Sequence, residues 1–142
     1  MIFSQRDTID VLPYRLSTGS EADYHRHVLI VKDEPGCGAD VGNSGGQTEL
    51  NLDHNDDNCW TDATIQHEFL HVFGMFHMQE RPDRDNNIVL NVNNIDCMDQ
   101  FEKMTSSLTY NTYYDGRSFM HYENGACAKN PNHATFWTRV CD

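Results

Sequence analysis

The chain has 142 residues, 22 acidic against 10 basic, and a formal net charge of −12 with histidine neutral. That length allows one buried core of the commonest domain size, about 100–150 residues, and little more. With no lysine or arginine cluster longer than two residues, the chain lacks the basic footprint that neutralises phosphates, which excludes nucleic acid as a partner. No apolar run approaches the roughly 20 residues that span a bilayer, and the opening Met1-Ile2-Phe3-Ser4-Gln5-Arg6-Asp7 lacks the apolar stretch of a secretory signal. The expectation is a chain with no membrane contact and no export signal of its own.

There are no internal repeats and no Pro- or Ser-rich linker, so the chain reads as one continuous domain whose halves differ in pattern. Strand-like runs come first: Ile9–Leu12, His27–Val31, and Thr48–Leu52 with two-residue alternation. Gly36, Gly38, Gly42, Gly45 and Gly46 fill the gap between the last two, predicting strand, loop, strand. Asp53-His54-Asn55-Asp56-Asp57 lacks the spacing and closing glutamate of a calcium loop and reads as a solvated turn.

Thr61 to Phe73 is the one strong helix prediction, with Thr61 or Asp62 as N-cap and Gly74 as the C-terminal stop. At about 100° per residue from Ile65, the residues Phe69, Val72 and Phe73 fall within roughly 80°, whereas His67 and His71 fall near roughly 200° and 240°. The apolar stripe faces a core and the histidines face elsewhere. Beyond Asp85 the chain is Asn-rich and weakly periodic, with a short helix expected between Met98 and Met104 and loop for most of the rest.

Five cysteines and eight histidines are many for this length. Cys37 and Cys59 lie away from any CxxC pair, which suits a disulfide better than a cysteine zinc site. The odd total leaves at least one thiol among Cys97, Cys127 and Cys141 without an intrachain partner, unless it pairs outside the chain given.

His67-Glu68-Phe69-Leu70-His71 puts two imidazoles four residues apart on one helical face, close enough to share an ion at the roughly 2.0–2.1 Å of a zinc–nitrogen bond. Glu68 projects differently, as a base beside the metal and not a ligand. On an unbroken helix His77 would lie about 15 Å along the axis from His67, beyond reach of the same ion. Gly74 is the residue that lets the chain turn and bring His77 back. Three neutral nitrogens with one open position describe a catalytic zinc site. The alternative, histidines decorating an exposed helical face, leaves the placement of Gly74 and His77 unexplained.

His67-Glu68-x-x-His71-x-x-Gly74-x-x-His77, followed by Arg81-Pro82-Asp83-Arg84-Asp85, resembles the signature of the astacin family of metzincin zinc endopeptidases. Tyr114-Asp115-Gly116-Arg117-Ser118-Phe119-Met120-His121-Tyr122 resembles the family's Met-turn, and Gly36-Cys37 through Cys59 follows the family order. The resemblance implies an α+β, metzincin-like zincin fold: an N-terminal twisted β-sheet with the active-site helix and an irregular C-terminal subdomain. It treats 1–142 as a single partial catalytic domain with subdomains at about 1–77 and 78–142.

The implied activity is zinc-dependent metalloendopeptidase hydrolysis of peptide or protein substrates. His67, His71 and His77 would hold one Zn²⁺, Glu68 would act as general base on a zinc-activated water, and Tyr122 would be a switchable fifth ligand. Met120 would form the floor beneath the metal and His121 would be structural, whereas His25, His27, His54 and His133 read as surface histidines. A Cys37–Cys59 disulfide, a Thr48–Leu52 strand along the cleft rim and secretion are further implications. Departures from the family pattern are Thr8 for a cysteine, Met78 for the glutamate after the third histidine, and Gly116 for an aromatic residue. The match begins after the family's first strand and first long helix and stops shortly after the Met-turn, so the expectation is a domain truncated at both ends. A catalytically impaired zinc-binding module or protease fragment is the rival reading.

Overall fold

The computed structural model describes residues 28–43 and 45–139. The expected strand at Ile9–Leu12, the Thr8 departure, His25, His27 and Cys141 lie outside them. The elements in order are β1 (Val28–Lys32), β2 (Cys37–Ala39), β3 (Gln47–Leu52), α1 (Asp62–Val72), β4 (Ile88–Leu90) and β5 (Phe136–Thr138), with single-turn 3₁₀ helices between them. The chain divides after Met75 into two compact units.

In the unit ending at Met75, the alternation in Thr48–Leu52 is realised in full: Thr48, Leu50 and Leu52 are buried and the residues between them are not. A half-buried pleated strand requires this period of two. Two expectations are corrected here. The Gly-rich gap is not all loop, because Cys37–Ala39 forms β2, antiparallel to β3, with Ala39 opposite Leu50. Glycine carries no hydrophobic period, so the pattern could not reveal a strand whose role is to satisfy backbone groups. Nor does β3 lie on a rim: the sheet order is β1-β3-β2, with β1 parallel to β3, so β3 is the central strand with both edges paired.

Helix α1 begins where Thr61 caps it, the hydroxyl accepting from the Thr64 N–H at 3.1 Å. Its apolar stripe packs as the spacing predicts, Ile65, Phe69 and Val72 lying against the buried cluster Leu50, Leu52 and Cys59. Cys59 is bonded to Cys37, tying β2 to the turn before the helix, and such a closure stabilises by about 3–4 kcal/mol in loop-entropy terms. Asn51 holds the β1–β2 turn: its carboxamide donates to the carbonyls of Glu34 at 2.9 Å and Gly36 at 2.7 Å and accepts from the Glu34 N–H at 2.8 Å.

The second unit has little regular structure. Strands β4 and β5 pair antiparallel, Leu90 opposite Phe136. The expected helix between Met98 and Met104 is a 3₁₀ turn over Met98–Phe101. Ile88, Ile95, Phe101 and Phe136 form the core, with Tyr114, Tyr122 and the bonded pair Cys97–Cys127 against it. So small a core leaves many backbone groups outside ladders, and buried polar side chains satisfy them. Asn94 donates to the His133 carbonyl at 2.7 Å and accepts from the Asn130 N–H at 2.9 Å. Arg84 donates to the carbonyls of Gln79 at 2.6 Å and Phe101 at 2.8 Å.

Arg81 is wholly buried. It forms a bidentate pair with Asp83, both bonds 2.8 Å, and donates to the carbonyls of Thr112 at 2.9 Å and Tyr113 at 3.3 Å. The Arg-Pro-Asp-Arg-Asp run is therefore a scaffold: its two guanidinium groups gather turns remote in sequence. Arg81→Ala removes a wholly buried guanidinium, its pair with Asp83 and its bonds to the Thr112 and Tyr113 carbonyls, and hydrogen bonds made by a charged group contribute about 1.5–3 kcal/mol each. Urea unfolding should show a loss of about 2–4 kcal/mol for Arg81→Ala, with little recovery by Arg81→Lys, whose ammonium cannot reproduce the fork.

Candidate metal centre

His67 and His71 occupy successive turns of α1, with their Nε2 atoms 3.1 Å apart. Two nitrogens bound to one tetrahedral zinc at about 2.05 Å stand about 3.3 Å apart, so the pair has close to the bite a zinc ion needs. His71 is buried, and its Nδ1 lies 2.7 Å from the Met75 carbonyl oxygen. A carbonyl only accepts, so Nδ1 carries the proton and Nε2 presents its lone pair.

The helix stops where the site requires. Gly74 has φ +90°. Its N–H donates to the His71 carbonyl at 2.7 Å, and the Met75 N–H donates to the Leu70 carbonyl at 2.9 Å. Those two bonds define the Schellman ending, which needs a left-handed residue at this place. The His71 carbonyl also accepts from the Gly42 N–H at 2.8 Å, so the Gly-rich segment braces the end of the helix.

Past this turn the ligand-capable atoms of His67, His71 and His77 all lie within 4.8 Å of one another. The spacing prediction that a break at Gly74 returns His77 to the other two histidines is met. All the donors are imidazole nitrogens, one already in the tautomer a metal requires, so the residues fit zinc. Two other groupings differ in kind. Cys37 and Cys59, with Asp56 nearby, are spent in a disulfide. Asp33, Asp53 and His54 form an exposed knot of internal bonds, Asp33 on His54 Nδ1 at 2.9 Å and Asp53 on the Asn55 N–H at 2.8 Å. Donation to the Asp33 carboxylate raises the His54 pKa above its ordinary value. His54 is thus exposed, as its lack of partner spacing predicts, yet paired; His133 is also exposed.

Glu68 is buried on α1, 7 % exposed. The ring of Tyr122 lies 4.8 Å from that of His77, and its hydroxyl donates to Gln100 Oε1 at 3.3 Å. Gln79, wholly buried, accepts the Tyr122 N–H at 3.2 Å and donates to the Gln100 carbonyl at 3.4 Å. Met120 is wholly buried, and its carbonyl accepts the Met78 N–H at 2.9 Å. Sequence reading passed over Gln79, Glu80 and Gln100; the only available signal was that the first two fall within three residues of His77.

His121 is structural, as the motif implies. Its Nδ1 donates to the Tyr122 carbonyl at 2.7 Å, and its Nε2 accepts from the Tyr114 hydroxyl at 2.6 Å. Burial holds the His121 pKa below the usual imidazole range, and burial likewise pushes the Tyr114 phenol upward.

A sheet-and-helix unit carrying His67 and His71, and a second unit that begins just before His77 and has little regular structure, are consistent with the α+β class of a metzincin fold. The model of the Astacin peptidase family matches residues 15–142. The chain is 41 % identical over 117 residues to zinc metalloproteinase nas-8 of Steinernema carpocapsae and 41 % over 114 residues to nas-7 of Caenorhabditis elegans. Those alignments cover 80 % and 78 % of this chain but 26 % and 28 % of the relatives. High choriolytic enzyme 1, a hatching enzyme zinc-protease of the medaka Oryzias latipes, superposes with a TM-score of 0.71 at 32 % identity, covering 78 % of this chain and 55 % of that one. The chain belongs to the astacin family. It spans about a quarter of the length of these curated relatives, and zinc is the metal of the proteinases it resembles.

Because folding lowers the His121 pKa, the unfolded chain binds the proton first, so stability falls as pH drops below the unfolded value of about 6.5. Thermal unfolding between pH 7.5 and 5.5 should show this loss. Tyr114→Phe leaves a buried acceptor unpaired and should cost about 1–2 kcal/mol at pH 7.5.

Proposed function

We propose that this chain is a zinc-dependent metalloendopeptidase unit acting on peptide or protein substrates. The observation that carries the reading is the clustering of three histidine ligand atoms within 4.8 Å, with the His71 tautomer set by the Met75 carbonyl. His67, His71 and His77 would hold one Zn²⁺. Zinc bound there supplies a Lewis acid that polarises a carbonyl and brings the acidity of a water towards neutrality.

The remaining work falls to the chain's own side chains. Glu68 is the general base: its carboxylate takes a proton from the attacking water as the oxygen bonds to the scissile carbonyl carbon, and returns a proton to the amine as the C–N bond breaks. Burial of Glu68 keeps bulk water from competing for that carboxylate. Tyr122 gives up its bond to Gln100 and donates to the oxyanion; losing a donor of this kind costs on the order of 10²–10³ in rate. The catalytic domain is read over 1–142, with subdomains at about 1–77 and 78–142. The bonds Cys37–Cys59 and Cys97–Cys127 support an oxidising, extracellular setting. Among the described residues no helix is long and apolar enough to cross a membrane.

The test is hydrolysis of an unfolded protein by the zinc-loaded chain beside Glu68→Ala, which retains all three ligands. Cleavage should be present in the first and reduced at least about 10²-fold in the second, with one zinc bound to each. Equal zinc content without cleavage by either would establish the impaired binding module in place of the peptidase. Since zinc binding requires neutral imidazoles, its affinity should fall as pH is lowered; chelator competition at pH 7 and pH 5 checks this, and equal affinities would contradict the ligand set.

A further inference from the structure

We propose that Glu80 is a positioning residue for His77, its buried carboxylate acting as the outer partner that aims the imidazole at the metal. The proposal rests on the reading of His77 as a zinc ligand. Glu80 Oε2 accepts the His77 backbone N–H at 3.0 Å and lies 3.3 Å from His77 Nδ1. Both side chains are largely enclosed, 11 % exposed for Glu80 and 15 % for His77.

Local backbone geometry explains the meeting. Met78–Glu80 is a single 3₁₀ turn with His77 at its N-cap. At three residues per turn, side chains at i and i+3 eclipse, which sets position 80 over position 77. The turn is pinned at both ends: the Glu80 N–H donates to the His77 carbonyl at 3.1 Å, and the Glu80 carbonyl accepts the Met104 N–H at 2.7 Å. The carboxylate therefore has little freedom to leave, and the Tyr122 ring stands 4.8 Å from the same imidazole.

An ionised carboxylate accepts and does not donate, so an imidazole nitrogen facing it carries the proton. A proton on Nδ1 of His77 faces Glu80 Oε2 at 3.3 Å in this arrangement, and Nε2 is then the nitrogen that presents a lone pair to the metal. His71 reaches the same state through the Met75 carbonyl. The difference is charge, because a carboxylate holds its histidine more strongly than a neutral carbonyl does. The residue directly after His77 cannot serve, since Met78 is apolar and buried. The acidic side chain of this turn stands two positions later, where the 3₁₀ geometry brings it back.

Zinc affinity by chelator competition, with ¹⁵N-histidine NMR of the zinc-loaded chain, tests the assignment on wild type, Glu80→Gln and Glu80→Ala. Loss of an outer partner weakens metal binding by about 10–100-fold. The expected result is about a tenfold loss for Glu80→Gln, whose amide oxygen still accepts the His77 N–H, and a larger loss for Glu80→Ala. The Nδ1–H resonance of His77 should move in both variants while that of His71 stays, and zinc-free Glu80→Gln should unfold at the wild-type temperature. If Glu80→Ala does not fold, Glu80→Gln decides. Wild-type affinity in Glu80→Gln overturns the proposal, as does weaker binding with an unmoved His77 Nδ1–H signal. A wild-type chain that binds no zinc overturns the ligand reading itself, a separate failure.

Discussion

The centre depends on a helix that ends at one particular residue. Gly74 at φ +90° closes the Schellman pair, returning the Gly74 and Met75 N–H groups to the carbonyls of His71 and Leu70. A side chain with a Cβ at that position meets the steric cost of the left-handed region, and a helix running on would carry His77 away along its axis. The ending has a second effect. By turning the Met75 carbonyl towards His71 Nδ1, it chooses the tautomer as well as the path of the chain.

Around that turn the protein uses two kinds of support. Up to Met75 it is conventional: an alternating strand, an amphipathic helix and a shared apolar cluster of Leu50, Leu52 and Cys59. After it, the apolar core is small, and order comes from buried polar groups that satisfy irregular backbone. Arg81, Arg84, Asn94 and Gln79 each bind main-chain groups far from them in sequence. Such networks leave little slack, because an unpaired buried donor or acceptor costs more than a satisfied one gains. Tyr122, Gln100 and Gln79 form one of them, so the ring beside His77 is held by the same means as the scaffold.

Local pattern was readable wherever a period or a cap carried it. The Thr61 cap, the apolar face of Ile65, Phe69 and Val72, and the buried alternation of Thr48, Leu50 and Leu52 all follow from capping chemistry and from periods of 3.6 and 2. Strand β2 was not readable, since Cys37-Gly38-Ala39 has no side-chain rhythm and exists to pair with β3. The placement of β3 at a rim failed for a related reason: which edge of a strand is covered depends on partners that no local pattern encodes.

What the sequence determined alone is the histidine set and its spacing, because helical geometry and one glycine suffice to place His67, His71 and His77 around a common point. It determined equally the membership of a family whose signature those residues spell. Only the tertiary structure decided what stands behind those side chains. Met75 meets His71, Glu80 meets His77, and Gln79 with Gln100 meets Tyr122 through single directed contacts between atoms. Such contacts have no period in sequence; they arise from where a turn ends and which way a carbonyl or carboxylate then faces.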